Sequence, residues 1–262
     1  MPELDVLLDL AKSSVTQASK RLLDHVSPGD SDYVHSLDHQ REIKAIADTV
    51  MEKEILRVLG GAGLPILSEE SGYVASPQKS KYWFIVDPLD GTFNFVKGLG
   101  PSAISVALWE NQQPIFGVIY SLMERQLVFG GNGLGAFIGE RRISVSNTSN
   151  QSQASICTGF PVRFDVESES ATQGFWRMVK PYAKVRMLGS AAASLLHVAR
   201  GSADVYSESR IMLWDVAAGI AIVEGAGGKC VMQRNGDTWC YDVFASNPTL
   251  LACHTAQTHG AT

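Results

Sequence analysis

Apolar residues recur at helical spacing at the start of the chain. Leucine, alanine or valine occupies positions 4, 7, 8, 11, 15, 18 and 22, which is the spacing of one helical face. A Ser-Pro-Gly-Asp turn follows at 27–30. We therefore predict an opening helix over residues 4–25. A second helix is predicted from Gln40 to Leu59, where Gly60 and Gly61 end it.

Short apolar runs separated by polar or glycine-rich turns dominate the next part of the chain. Such runs predict a meander of antiparallel strands, here at 82–86, 103–109, 115–120, 126–129 and 135–138. The glycine-rich segment at 130–135 resembles a phosphate-binding loop, but no helical pattern follows it. We therefore interpret it as a hairpin turn.

Helical and strand patterns alternate in the second half, which indicates stacked layers of helices and sheets. Helices are predicted at 171–179, 191–199 and 216–224, and strands at 155–158, 184–187, 203–206, 229–232 and 250–252. The polar stretch at 147–153 suggests a boundary near residue 150. The expected organisation is two closely packed halves, 1–150 and 151–262, that act effectively as one domain.

Composition narrows the class of protein. The 262 residues are 45% hydrophobic, enough for a large core. A net charge of -5 without a basic run gives no broad surface for nucleic acid. We see neither a secretory signal nor a membrane-spanning apolar stretch. Four cysteines without CxxC pairing indicate reduced thiols, so the expected location is the cytoplasm.

Acidic residues form four groups along the chain. Taken alone, each has an ordinary structural explanation: a solvated pair, an Asp-Pro turn, a helix N-cap or an exposed helical stripe. Their occurrence together, in this order, indicates a site. The groups are Asp48 with Glu52, Glu69 with Glu70, Asp87 with Asp90, and Asp215.

The segment from Asp87 to Thr92 has features that suit phosphate chemistry. The strand at 82–86 is expected to lead into a loop where Asp87 and Asp90 share one space. Pro88 stiffens the path between them, and Gly91 permits a tight turn. A helix beginning near Thr92 would direct free backbone N–H groups at a phosphate.

Carboxylates held this close repel one another unless a cation lies among them. Hard oxygen ligands favour magnesium over zinc or copper. Two such ions could activate a water molecule and stabilise the leaving oxygen of an in-line displacement. The sequence has no plausible nucleophilic Cys or His motif, which fits direct attack by water.

Three motifs carry a resemblance to a known family. Glu-Glu at 69–70, Asp-Pro-Leu-Asp-Gly-Thr-Phe-Asn-Phe at 87–95 and Trp-Asp-Val-Ala-Ala-Gly at 214–219 resemble the lithium-sensitive, magnesium-dependent phosphatases, with inositol monophosphatases nearest. The match runs from the second helix to about Cys230. It implies an α/β fold, a layered αβαβα sandwich of the sugar-phosphatase type. It also implies a homodimer, two or three Mg²⁺ per site, and lithium inhibition through one metal position.

The resemblance assigns roles residue by residue. Thr92 and Asp48 resemble the couple that orients or activates the attacking water, and Glu70 resembles the acid that supports the ligands. The backbone N–H groups of Gly91 and Thr92 would hold the phosphate. The implied metal ligands are Glu69, Asp87, the backbone carbonyl of Leu89, Asp90 and Asp215, so most come from the first half of the chain and one from the second.

Substrate contacts are also implied by the resemblance. Gly189, Ser190 and Ala191 resemble the segment that lines the substrate pocket at a helix start. Glu208 matches a carboxylate that binds a substrate hydroxyl, a sensible acceptor for a polyol.

Two departures from the family pattern leave the substrate open. Residues 43–47 read Ile-Lys-Ala-Ile-Ala where the family usually shows Val-Thr, and Met212 replaces a polar residue of some members. Inositol monophosphate or a related polyol or sugar phosphate is the first hypothesis. A 3'(2'),5'-bisphosphate nucleotidase is the alternative, with Lys44, Arg186 or Arg210 binding the nucleotide. Fructose 1,6-bisphosphate and histidinol phosphate are further options.

A hypothesis from another class is a regulatory protein that binds a partner through this fold and has lost catalysis. The complete carboxylate set argues against that loss, because a structural role does not need all of these residues together.

Overall fold

The computed structural model describes residues 3–25, 37–74, 76, 80–160, 167–236 and 238–259, without the side chains of residues 25, 37–46 and 255–259. The helices in these parts of the chain are α1 (Leu4–His25), α2 (Leu37–Leu59), α3 (Thr92–Lys97), α4 (Glu169–Val179), α5 (Ala191–Ala199), α6 (Leu213–Gly225) and α7 (Pro248–His259). The opening helix is thus confirmed, and the second begins before Gln40.

Two sheets contain the described strands. The first has eight strands in the order β2-β1-β3-β4-β5-β6-β7-β8: β1 (Ile66–Ser68), β2 (Gly72–Val74), β3 (Tyr82–Asp90), β4 (Ala103–Glu110), β5 (Gln113–Ser121), β6 (Gln126–Gly131), β7 (Gly135–Ile138) and β8 (Arg141–Arg142). From β3 to β8 each strand pairs antiparallel with the next. The predicted meander is confirmed, including the glycine hairpin between β6 and β7.

The second sheet has five strands in the order β10-β9-β11-β13-β12. They are β9 (Ser155–Thr158), β10 (Lys184–Met187), β11 (Val205–Met212), β12 (Lys229–Arg234) and β13 (Cys240–Ser246). The change from one sheet to the other falls between β8 and β9. The two-half division near residue 150 remains an interpretation of that change.

Helices cover both faces of the sheets. On β3, Phe84 and Val86 pack in the cluster with α1 and α2, whereas Ile85 packs in the cluster with α5 and α6. The alternation places these helix pairs on opposite faces. The second sheet also contacts α5 and α6, and Met178 of α4 and Leu250 of α7 join a separate cluster with Ile156. The αβαβα layering is therefore confirmed.

Two predicted elements are wrong in detail. The strand predicted at 82–86 continues through Asp90, because Asp87 pairs with Ser105 and Asp90 with Ala103 across an irregularity in the ladder. The two aspartates thus lie on a strand and not in a loop. Residues 250–252 belong to α7: Pro248 is its first residue and the Asn247 side chain accepts a hydrogen bond from the Leu250 N–H at 2.9 Å.

Candidate metal centre

Three carboxylates from different elements meet beside the neighbouring strands β1 and β3 of the first sheet. Glu69 follows β1, Asp87 lies in β3, and Asp215 lies in the first turn of α6. One oxygen from each lies within 4.8 Å of the others. The Glu69 N–H donates to the carbonyl of Val86 at 3.2 Å, which fixes Glu69 beside β3. These three predicted ligands are therefore brought together.

Asp87 is fully buried. Its Oδ1 accepts a hydrogen bond from the Leu89 N–H at 3.0 Å, whereas its Oδ2 has no hydrogen-bond partner among the described residues. Burial first, and then the charges of Glu69, Asp90 and Asp215, raise the pKa of Asp87 well above its usual range. An orphaned, buried carboxylate oxygen of this kind is a ligand position that a cation would satisfy.

Asp215 has the same electrostatic problem. Its Oδ2 accepts a hydrogen bond from the Met212 N–H at 3.2 Å, at the start of α6. Burial of the carboxylate, followed by the charges of Asp90 and Glu69, raises its pKa well above the usual range. A cation among these oxygens would relieve the repulsion and the loss of solvation together. The acidic cluster therefore fits a metal ion.

Asp90 lies beside this cluster but is oriented by a helix. Its Oδ2 accepts hydrogen bonds from the Ser190 hydroxyl and from the Ala192 N–H at 2.8 Å, and its Oδ1 accepts from the Ala191 N–H at 3.3 Å. Burial raises the pKa of Asp90 to about 6, and these hydrogen bonds oppose that rise. Asp90 thereby joins the cluster to the N-terminus of α5.

Gly91 and Thr92 form the junction between β3 and α3. Gly91 has φ +79, and a Cβ there would lie 2.9 Å from the Pro101 carbonyl oxygen. The Thr92 hydroxyl donates to the carbonyl of Leu89 at 2.9 Å, so this hydrogen bond links two predicted site residues.

Two predicted residues stand outside the close cluster. Asp48 is buried on α2, which contacts α3. Glu70 is exposed, one residue beyond Glu69, and is not among the carboxylates that converge in the described part of the chain. The assigned roles of Asp48 and Glu70 stay predictions.

A cavity of about 380 Å³ adjoins the acidic cluster of Glu69, Asp87 and Asp215. It is lined by Asp90 and Asp215 together with all four residues predicted to contact substrate, namely Gly189, Ser190, Ala191 and Glu208. Asn94 positions this wall, because its amide donates to the carbonyls of Pro101 and Leu188 at 2.9 and 2.6 Å.

Glu208 lines the same cavity from β11. The hydroxyl of buried Tyr206 donates to its Oε2 at 3.2 Å. Burial raises the pKa of Glu208 to about 7; the Tyr206 hydrogen bond opposes the rise and the charge of Asp90 adds to it. Glu208 is thus a weakly solvated acceptor held in a fixed direction, as a hydroxyl-binding group requires.

Sequence reasoning missed Glu52, the residue that holds the turn between β1 and β2, where Glu69 lies. Glu52 Oε1 accepts from the Ser68 hydroxyl at 2.6 Å and the Ser71 N–H at 3.0 Å, and its Oε2 accepts from the Ser71 hydroxyl at 2.8 Å. The sequence placed Glu52 on the same helical face as Asp48, but nothing local connects it with the turn between β1 and β2.

The chain resembles characterised proteins over nearly all of its length. The sequence profile of the inositol monophosphatase family matches residues 3–261. A Xylella fastidiosa protein named Nus factor SuhB is 32% identical over 239 residues, covering 90% of this chain and 84% of that protein. An Aquifex aeolicus protein named fructose-1,6-bisphosphatase/inositol-1-monophosphatase is 34% identical over 186 residues, covering 71% and 69%.

The structural comparison agrees with the sequence comparison. The inositol monophosphatase from Anabaena superimposes with a TM-score of 0.80 at 31% identity, covering 94% of this chain and 92% of that one. Among the described residues, no helix has the length and apolarity needed to cross a membrane. With the family profile matched from residue 3 to residue 261, the chain belongs to the inositol monophosphatase family and is therefore a phosphoric monoester hydrolase.

Proposed function

We propose that this chain is a magnesium-dependent phosphatase that hydrolyses inositol monophosphate, or a related polyol or sugar phosphate, by attack of water. The observation that carries the proposal is the convergence of Glu69, Asp87 and Asp215 beside the cavity that Glu208 lines. The residues that would hold two or three Mg²⁺ are these three with Asp90 and the Leu89 carbonyl. Bound Mg²⁺ would supply Lewis-acid stabilisation of phosphate charge and a lowered water pKa.

The chain's own groups would orient the reactants. The Thr92 hydroxyl donates its hydrogen bond to the Leu89 carbonyl. Its oxygen lone pairs would therefore be free to accept a hydrogen bond from the attacking water. Asp48, on α2, would help to orient the same water. Glu70 would support the metal ligands without itself being one of them. The N–H groups of Gly91 and Thr92 would bind phosphate oxygens at the start of α3.

The lining of the cavity favours a substrate with one phosphate and free hydroxyls. Glu208 would accept a hydrogen bond from a hydroxyl beside the scissile ester. Among the described residues that line the cavity, none is Lys or Arg, so a second phosphate would meet carboxylates there. Neither Arg186 nor Arg210 lines it, and the Lys44 side chain lies outside the described residues. These observations support a polyol phosphate over adenosine 3',5'-bisphosphate or fructose 1,6-bisphosphate.

The testing experiment is phosphate release from a substrate panel with added Mg²⁺. The panel holds inositol 1-phosphate, glycerol 2-phosphate, histidinol phosphate, fructose 1,6-bisphosphate and adenosine 3',5'-bisphosphate. Asp87→Asn should lower kcat/KM about 1000-fold or more by removing a metal ligand, whereas Asp9→Asn, at an exposed carboxylate, should change nothing. Turnover that persists in chelator or in Asp87→Asn would refute the mechanism.

Glu208→Ala separates the substrate classes. Losing a hydrogen bond to a charged acceptor should lower kcat/KM for inositol 1-phosphate about 10- to 100-fold. The same variant should hardly affect a nucleotide substrate. An equal loss on both substrates would count against a hydroxyl-binding role for Glu208.

We also propose a homodimer in a reducing cytoplasm. Edge strand β10 exposes the apolar side chains of Val185 and Met187, and burying them would favour association. Light scattering should show a dimer that Val185→Glu weakens and Val6→Glu, on α1, does not. The four free cysteines, Cys157, Cys230, Cys240 and Cys253, support a reducing compartment.

The name of the Xylella relative, Nus factor SuhB, favours a second candidate, a role in binding a protein partner. The test is a pull-down. A partner that the Asp90→Asn variant still captures, and that an unrelated control protein does not capture, would support this role independently of catalysis.

A further inference from the structure

A second cavity, of about 490 Å³, has three tryptophans in its wall. Trp83 comes from β3, Trp109 from β4, and Trp239 from the turn before β13. The ring centroids of Trp83 and Trp109 are 6.4 Å apart, and those of Trp83 and Trp239 are 5.4 Å apart. None of the described residues lining this tryptophan cavity also lines the cavity of Glu208. It is therefore separate from the proposed substrate site.

The charged side chains that line the tryptophan cavity are positive. Lys81 and Arg234 line it, and no Asp or Glu does so among the described residues, although the whole chain carries a net charge of -5. Lys81 is already ion-paired with Glu110. Arg234 donates from Nη2 to the Thr238 carbonyl at 2.6 Å, which fixes the guanidinium and leaves N–H groups that can bind a carboxylate in a bidentate manner.

Trp109 contributes a polar group that the fold does not satisfy. The residue is 2% exposed, and its indole Nε1 has no hydrogen-bond acceptor among the described residues. Leaving a buried donor unpaired is unfavourable. The Trp109 ring lines both the tryptophan cavity and an adjoining cavity of about 250 Å³.

We propose that the tryptophan cavity is a second ligand site, which binds a planar aromatic carboxylate. Its volume is within the range of small-molecule sites, about 300–1000 Å³, and indole walls suit an aromatic ring. The carboxylate pairs with Arg234, and the aromatic ring lies against the indole rings of Trp83, Trp109 and Trp239.

Calorimetry with indole-3-acetate as the probe tests the site on the magnesium-loaded protein. We expect saturable binding of one molecule per chain. Neutral indole-3-acetamide lacks the charge and cyclohexylacetate lacks the aromatic ring, so each should bind at least about tenfold more weakly. Arg234→Gln should weaken binding of indole-3-acetate about tenfold or more. Trp176→Phe, at an exposed tryptophan of α4, should leave it unchanged.

Nuclear magnetic resonance of the indole N–H groups locates the probe. Indole-3-acetate should shift a resonance that the Trp109→Phe variant lacks. The proposal is overturned if the probe binds no better than cyclohexylacetate, if Arg234→Gln binds it as well as wild type, or if inorganic phosphate displaces it. Displacement by phosphate would place the probe in the metal centre. Because Arg234 is exposed, its variant keeps the test valid even if Trp109→Phe does not fold.

Discussion

At the scale of single residues, the site depends on positions where a small change in geometry matters. Gly91 joins the strand that carries Asp87 and Asp90 to the helix that begins at Thr92. Its φ of +79 belongs to the left-handed region, and its missing Cβ leaves room for the Pro101 and Gly189 carbonyl oxygens, which a Cβ would approach to 2.9 and 3.1 Å. Glycine is therefore required here for conformation and for space.

Gly91→Ala should reduce kcat/KM about 100-fold, because the added methyl group displaces the backbone on which Asp90 and the Gly189 wall depend. Gly133→Ala is the matched control: its φ is +81, but nothing lies within 4 Å of an added Cβ. It should lose about 1 kcal/mol of stability through backbone strain and keep its activity. Steady-state kinetics with denaturant unfolding separates the effects, and wild-type activity in Gly91→Ala would contradict the crowding argument.

At the scale of elements, α2 positions the turn between β1 and β2. Glu52 on α2 accepts three hydrogen bonds from Ser68 and Ser71, on either side of Glu69. A carboxylate that accepts several hydrogen bonds in a buried place holds its donors more firmly than an amide would. The position of Glu69 is thus set by a residue outside the proposed metal-ligand set.

Glu52→Gln should lower the free energy of unfolding by about 1–3 kcal/mol and weaken Mg²⁺ binding, since the turn that carries Glu69 loosens. Glu54→Gln, at a buried carboxylate of the same helix that pairs with Arg21 and Arg57, should cost stability without changing Mg²⁺ affinity. Calorimetric titration with Mg²⁺ measures the difference. Equal Mg²⁺ affinities in the two variants would remove Glu52 from any role in the site.

The sequence predicted those elements whose pattern is local and missed those set by distant contacts. The meander was predictable because its strands are separate apolar runs with turn residues between them. The run Leu250–Ala252 is too short for its periodicity to distinguish helix from strand, and the Asn247-Pro248 helix start was the better indicator. Asp87 was expected in a loop, because pairing with Ser105 cannot be read from its neighbours. The role of Glu52 depends on its hydrogen bonds with Ser68 and Ser71, which are distant in the sequence, and likewise has no local pattern.

At the scale of the whole molecule, the acidic centre links stability to metal and to pH. Burial and mutual repulsion raise the pKa of Asp87 and Asp215 well above the usual range, and burial raises those of Asp90 and Glu208 to about 6 and about 7. In the unfolded chain, Asp and Glu titrate near 4. Between about pH 4 and 7, the metal-free folded state therefore holds more protons than the unfolded state. Its stability falls as pH rises through this window.

Magnesium should reverse this destabilisation. In chelator, the melting temperature should fall from pH 5 to pH 7; at 100 times the dissociation constant, Mg²⁺ adds about 2.7 kcal/mol, or about 5–10 °C at this chain length. The Mg²⁺ gain should be larger at pH 7 than at pH 5, because protons compete with the cation for the same oxygens.

Asp87→Asn removes one repelling charge, so its chelated form should lose less stability between pH 5 and pH 7. Differential scanning calorimetry of both proteins measures these shifts. A bound cation would relieve the repulsion among the carboxylates and so would stabilise the fold. A melting temperature that does not respond to Mg²⁺ at pH 7 would therefore show that the carboxylate cluster does not bind the cation.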